Sequence, residues 1–223
     1  MVNPVINSID MKKELSRIYR KLYKFYGPQK WWPADTPFEV VVGAILTQNT
    51  SWSNVERAIA NLKTARCLSF EKLLKIKHNK LASLIKPAGY YNIKAKRIKN
   101  FLNFLKDNYH GCLNKMGRQD TFLLRKELLE VNGIGQETAD SILLYALGKP
   151  VFVIDAYTKR IFSRHKYLSE SVDYTDAQRF FMDDLTPEVK VFNEFHALIV
   201  RCAKDFCKKK KQNCCQCPLY EKP

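Results

Sequence analysis

The sequence predicts an all-α protein, on three observations. Apolar residues recur at the three-and-four spacing of helices. Only 8 glycines and 9 prolines punctuate 223 residues, which favours long helices over many short strands. A short apolar run rich in β-branched residues, 151–154, is too short and too isolated to build a sheet. In chain order, Phe38, Val41, Val42, Ile45 and Leu46 form the first clear stripe, entered through Asp35-Thr36-Pro37. Ile98, Phe101, Leu102 and Leu105 repeat it after Asn92. Thr138, Ala139, Ile142, Leu143 and Ala146 form a third, stopped by Gly148-Lys149-Pro150. A last helix carries Phe195, Leu198, Ile199 and Cys202 on one face. These stripes read as core.

Composition narrows the setting. The length supports one large domain or two modest ones, and a hydrophobic fraction of 46% is ordinary for a globular chain. No apolar run approaches the roughly 18 residues that a spanning helix needs. Residues 1–20 lack the continuous apolar core of a signal peptide, so a soluble, cytoplasmic protein is expected, with no membrane partner. Lys and Arg number 38 against 22 Asp and Glu, a net charge of +16. Such an excess favours a polyanionic partner, because neutralised phosphates release condensed counterions. On charge alone, a merely soluble basic protein fits as well. Of seven cysteines, five lie between Cys202 and Cys217, crowding that points to a metal or cluster before disulfides.

The most informative stretch runs from Leu128 to Asp140. A helical segment ends, Gly133-Ile134-Gly135 makes a tight turn, and a second helix opens at once. Glycines there let the backbone approach a ligand, and a new helix start offers unpaired N–H groups, together a phosphate clamp indifferent to base sequence. A plain helix connector would read the same way. Eighteen residues after Glu137, Val153-Ile154-Asp155 sets a carboxylate after an apolar segment, at the start of another helix. Asp155 is at least a helix N-cap, the common job of such an aspartate.

Val131-Asn132-Gly133-Ile134-Gly135 followed by Val153-Ile154-Asp155 resembles the hairpin-plus-aspartate signature of the endonuclease III (helix-hairpin-helix-GPD) superfamily of DNA glycosylases. Three more stretches are similar to it in the same order: Pro37 through Thr50, Ile85 through Ala95, and the C-terminal cysteines. The resemblance spans roughly residues 20–217. It implies two helical domains with a DNA- and base-binding cleft between them: residues 30–149 with the hairpin, and residues 1–29 with 150–223 and the cysteine loop. Double-stranded DNA carrying a damaged base is the implied partner, and a monomer the implied state. Asp155 matches the family's catalytic aspartate, which stabilises an oxocarbenium-like sugar and orients the attacking water. The target base must be flipped out to reach it. Gln48 falls where the family places a residue that fills the gap left in the duplex.

Members that also cleave the strand carry a lysine just before the Thr-Ala pair of the hairpin, and its amine forms a Schiff base with the sugar. Here that position is Glu137. A carboxylate forms no imine, so water should be the nucleophile and lyase activity should be absent; Glu137 also suits the positive end of the second hairpin helix. Trp31-Trp32-Pro33 precedes the first core helix and Trp52 follows it, all three tryptophans of the chain. Aromatic faces suit a flipped purine, and a cationic one better, by roughly 0.5–2 kcal/mol. N3- or N7-alkylated purines are cationic and leave readily. Such bases need little general-acid help, and none of the four histidines, His78, His110, His165 and His196, which lie outside every motif, is placed to give it. Trp31, Trp32, Pro33, Trp52 and Glu137 are therefore the expected base pocket. With Asp155 and no hairpin lysine, the pattern is similar to the 3-methyladenine glycosylases of the superfamily.

Cys207, Cys214 and Cys217 match three of the four ligands of the family's [4Fe–4S] loop; the fourth would fall at Pro223. Cys202 or Cys215 could substitute, each at a spacing foreign to the family. A metal-free loop is the alternative, and the chemistry itself requires no cofactor. Lys208, Lys209, Lys210 and Lys211 lie between the first two cysteines and are expected to contact phosphate, like Gly133 and Gly135. Cys67 and Cys112 read as isolated core residues. Three rival functions stand beside the monofunctional alkylpurine glycosylase: a lyase-competent enzyme for oxidised pyrimidines, an adenine-mismatch glycosylase, and a non-catalytic DNA-binding module.

Overall fold

The computed structural model describes residues 8–220, with side chains from residue 11 onward. Among the described residues are twelve α-helices. They are α1 (Ser8–Tyr26), α2 (Pro37–Leu46), α3 (Trp52–Thr64), α4 (Phe70–Lys75), α5 (His78–Leu84), α6 (Tyr91–Tyr109), α7 (Leu113–Gly117), α8 (Thr121–Glu130), α9 (Gln136–Ser141), α10 (Ala156–Arg164), α11 (Tyr174–Met182) and α12 (Val189–Asp205). The all-α expectation holds. No helix among them is long and apolar enough to cross a membrane. The chain forms two compact units, Met1–Trp31 with Pro150–Pro223, and Trp32–Lys149.

The Trp32–Lys149 unit is built around α2. Thr36 caps this helix by accepting from the Glu39 N–H at 3.1 Å, and Pro37 occupies the first turn, where its missing N–H costs nothing. Every residue from Glu39 to Leu46 is buried, so the helix is wrapped on all sides. Ile98, Phe101, Leu102 and Leu105 supply the inner face of α6. Each fully buried side chain of this size contributes about 1.5–3 kcal/mol. The carbonyl end of α2 is closed by Lys94, almost wholly buried, whose Nζ donates to Leu46 O at 2.8 Å and Ala88 O at 2.7 Å. A cation suits a helix C-terminus. Burial nonetheless pulls the Lys94 amine down to about 8.

In the other unit, Phe152, Phe162, Phe181, Phe192 and Phe195 form an aromatic core against α1, α10, α11 and α12. Phe152 and Phe181 lie stacked with centroids 4.2 Å apart, and Phe192 and Phe195 meet Phe152 edge-on. Residues 151–154 are buried without regular secondary structure and pair with no strand. Side chains of α11 satisfy their backbone instead. Gln178 Nε2 donates to Phe152 O at 2.7 Å, and Ile154 N–H donates to the Tyr174 hydroxyl at 3.4 Å. A buried segment of this kind is tolerated only when its polar groups find such partners.

Candidate active site

Asp155 sits where this segment turns into α10. Its Oδ1 accepts from Thr158 N–H at 2.7 Å and from the Thr158 hydroxyl at 2.9 Å, a complete N-cap. That leaves Oδ2, which faces His196 Nε2 at 3.6 Å. The Asp155 side chain is only 13% exposed and the His196 side chain 6%. Burial pushes the Asp155 carboxyl up, but His196, the Thr158 N–H and the Thr158 hydroxyl outweigh it and hold the group below the usual aspartate value. The result is a carboxylate that stays ionised in a largely water-poor place. His196 is the residue that the sequence reading missed. It lies on α12, 41 positions from Asp155 in the chain, outside every sequence motif, and the fold brings it to the carboxylate. Its one sequence signal was a polar residue on the apolar stripe of α12, between Phe195 and Leu198.

The hairpin of the other unit is α8, a turn, and α9. Gly133 has φ +95°, and an added Cβ would meet Arg97 Cγ at 2.3 Å, so only glycine fits. Gly135 opens α9 with no side-chain cap, and a Cβ there would meet nothing within 4 Å. The turn is exposed at this point, and the backbone is approachable. Arg125 clamps the two hairpin helices. Its Nε and Nη2 donate to the carboxylate of Asp140 at 2.6 and 3.0 Å, and Asp140 is fully buried. Glu137 is exposed in the first turn of α9.

Gln48 is tied to the hairpin. Its Nε2 donates to Gly133 O at 3.0 Å and to the Thr138 hydroxyl at 2.9 Å, while Arg97 donates to its Oε1. Of the expected pocket residues, Trp32, Pro33 and Trp52 line one cavity of about 220 Å³ with Gly43 and Glu56. Trp32 meets Trp52 edge-on at 5.1 Å and Tyr145 at 5.2 Å. An added Cβ at Gly43 would press on the Trp32 ring at 3.4 Å, so this glycine sets how deeply the indole seats. Glu137 does not line that cavity, and Trp31 belongs to the other unit.

The cysteine loop follows α12. Cys202, Cys207, Cys214 and Cys217 all line one cavity of about 340 Å³. Cys215 is exposed and does not. The loop is strapped to α10: Arg160 Nε donates to Cys207 O at 2.7 Å, and Arg164 donates to Lys208 O and Lys209 O at 2.9 and 3.1 Å. Lys208, Lys209, Lys210 and Lys211 are exposed beyond these straps. Cys67 is buried and Cys112 half-buried, both in the Trp32–Lys149 unit.

Comparison with known proteins fixes the class. Residues 42–187 match the HhH-GPD superfamily base excision DNA repair protein family. A protein of Methanocaldococcus jannaschii that bears the provisional name of a DNA repair glycosylase is 52% identical over 207 residues, 92% of this chain and 93% of that one. The crystal structure of H. pylori 3-methyladenine DNA glycosylase bound to 1,N6-ethenoadenine is similar, with a TM-score of 0.72 and 30% identity, covering 89% of this chain and 97% of that one. A trapped endonuclease III–DNA covalent intermediate shares the fold, with a TM-score of 0.79 at 19% identity, covering 93% of each chain. The chain belongs to the HhH-GPD superfamily and is a DNA base-excision repair glycosylase of that superfamily.

Proposed function

We propose that this glycosylase is monofunctional and hydrolyses the N-glycosidic bond of alkylated purines such as 3-methyladenine in double-stranded DNA, acting as a monomer. The observation that carries this reading is a pair of carboxylates in two roles: Asp155, half-buried and held ionised, and Glu137, standing where strand-cleaving members carry their lysine. As the glycosidic bond stretches, positive charge grows on the sugar. Asp155 stabilises it through Oδ2 and orients the water that completes hydrolysis, while Oδ1 stays in the cap. A positioned carboxylate of this kind contributes about 10²–10⁴ in rate. An alkylated purine leaves as a neutral base, so no general acid is required. Trp32 and Trp52 offer the flipped cationic base aromatic surface. The 30% identity to the H. pylori enzyme over nearly its whole length supports the same substrate class.

An amine elsewhere could in principle replace the missing lysine. The amine most shifted toward its neutral form, Lys94, is sequestered: it is 1% exposed and donates to two carbonyls. The hairpin turn and the four lysines of the cysteine loop bind phosphate without reading sequence.

The test uses methylated duplex DNA and, in parallel, a thymine-glycol duplex, with borohydride present or absent. The expected result is release of methylpurine, strand breaks only after alkali, and no borohydride-trapped adduct. Release of the oxidised pyrimidine with direct nicking and a trapped adduct would overturn both the substrate and the monofunctional assignment.

A further inference from the structure

The cysteine cavity lacks the family's fourth ligand, since position 223 is Pro223, yet four thiols surround it. Three occupy family positions, Cys207, Cys214 and Cys217; the other is Cys202, in the last turn of α12. Its Sγ lies 3.7 Å from Cys217 Sγ, across one side of the cavity, and its side chain is fully buried. Donors reach two of the loop sulfurs. Arg164 Nη1 donates to Cys207 Sγ at 3.2 Å, and the backbone N–H groups of Leu219 and Tyr220 donate to Cys217. Arg17, Lys21 and Arg164 line the same cavity and offset the negative charge that four thiolates would bring. Among the described residues, no three His, Cys, Asp or Glu side chains converge closely enough to hold one metal ion. Four thiols lining one roomy cavity suit a group with several metal atoms, each taking one sulfur, provided that Cys202 and Cys217, in contact here, part so that each reaches its own iron.

We infer that Cys202 supplies the fourth thiolate of a [4Fe–4S] site completed by Cys207, Cys214 and Cys217. This assigns the ligand to α12 rather than to the exposed Cys215. It is independent of which base the enzyme removes. When a preformed cluster is delivered on small thiols, each cysteine forms one Fe–S bond as one carrier Fe–S bond breaks, and its proton leaves on the released carrier thiol, with no change of oxidation state. The bound group would join the end of α12 to the loop strapped on α10 and fix the lysines between them.

The full chain is incubated anaerobically with a preformed [4Fe–4S] cluster carried on small thiols. Iron and acid-labile sulfide are then counted per chain. Cysteines that resist alkylation are identified by mass spectrometry. The inference expects a full cubane per chain and protection of Cys202, Cys207, Cys214 and Cys217 together, with Cys215 alkylated. Because Cys202 is buried without a cluster, protection is scored as the difference between loaded and unloaded chains in urea sufficient to expose Cys202 of the unloaded chain, a comparison that needs no variant. Cys202→Ser should then lose most of the iron or retain an incomplete cluster with a changed electron paramagnetic resonance signal, and Cys215→Ser should keep it all. Alkylation of Cys202 in the loaded protein, full loading of Cys202→Ser, loss of iron from Cys215→Ser, or no uptake by the wild-type chain would each overturn it.

Discussion

Two helix starts, α9 and α10, begin twenty positions apart and are finished in opposite ways. Gly135 opens α9 with no side-chain cap, at an exposed turn. Asp155 opens α10 with a full cap, half-buried, and keeps one carboxylate oxygen for other work. A helix start must satisfy its orphan N–H groups from somewhere. At α9 the N-cap residue offers them no side chain; at α10 the protein closes one with the cap carboxylate, and so fixes the orientation of a charge. Binding without sequence preference asks for the first arrangement, and chemistry at one atom asks for the second.

The largest expected effect on stability strikes the frame of the open start. Arg125→Ala leaves the fully buried Asp140 carboxylate without its bidentate partner, and should cost about 3–5 kcal/mol in denaturant unfolding. A loss below about 1 kcal/mol would mean that α8 and α9 are held by packing alone. Gly133→Ala should be milder, about 1–3 kcal/mol, because it forces alanine to φ +95° and onto Arg97. It should weaken binding equally to duplexes of different sequence. Selective loss on one sequence would contradict a phosphate-directed turn.

A smaller effect should appear at the closed start, in its pH dependence. The folded-state pKa of Asp155 is depressed, so its contribution to stability is present above the unfolded aspartate value and lost as pH falls through the folded one. Catalysis by the ionised form should fail on the same acid side. His196→Gln removes one of the groups that hold the carboxyl down, so the acid limb of the base-release profile should move to higher pH. An unmoved limb would assign His196 to packing only.

Much of this contrast was legible in the sequence because it is local. Gly133-Ile134-Gly135, the Asp155 cap and the Thr36-Pro37 helix start each depend on neighbours within a few residues. What escaped depends on the fold. His196 reaches Asp155 from α12, Arg125 finds Asp140 across the hairpin, and Gln178 takes the place of a strand beside Phe152. Cys202 read both as part of an apolar stripe and, beside Cys215, as a substitute for the fourth cluster ligand; the fold separates the two, since Cys202 lines the cavity of the loop cysteines and Cys215 does not. The tryptophans were found by composition, but their packing divides them: Trp32 meets Trp52, while Trp31 belongs to the other unit.

The account rests most heavily on Asp155, and one substitution separates its two jobs. Asp155→Asn keeps an oxygen to cap α10 and removes the charge. Single-turnover base release from methylated duplex should fall by about 10²–10⁴, while the thermal midpoint, read on the same preparation, stays close to wild type. Release as fast as wild type from a folded Asp155→Asn protein would contradict the assignment of Asp155 as the catalytic carboxylate.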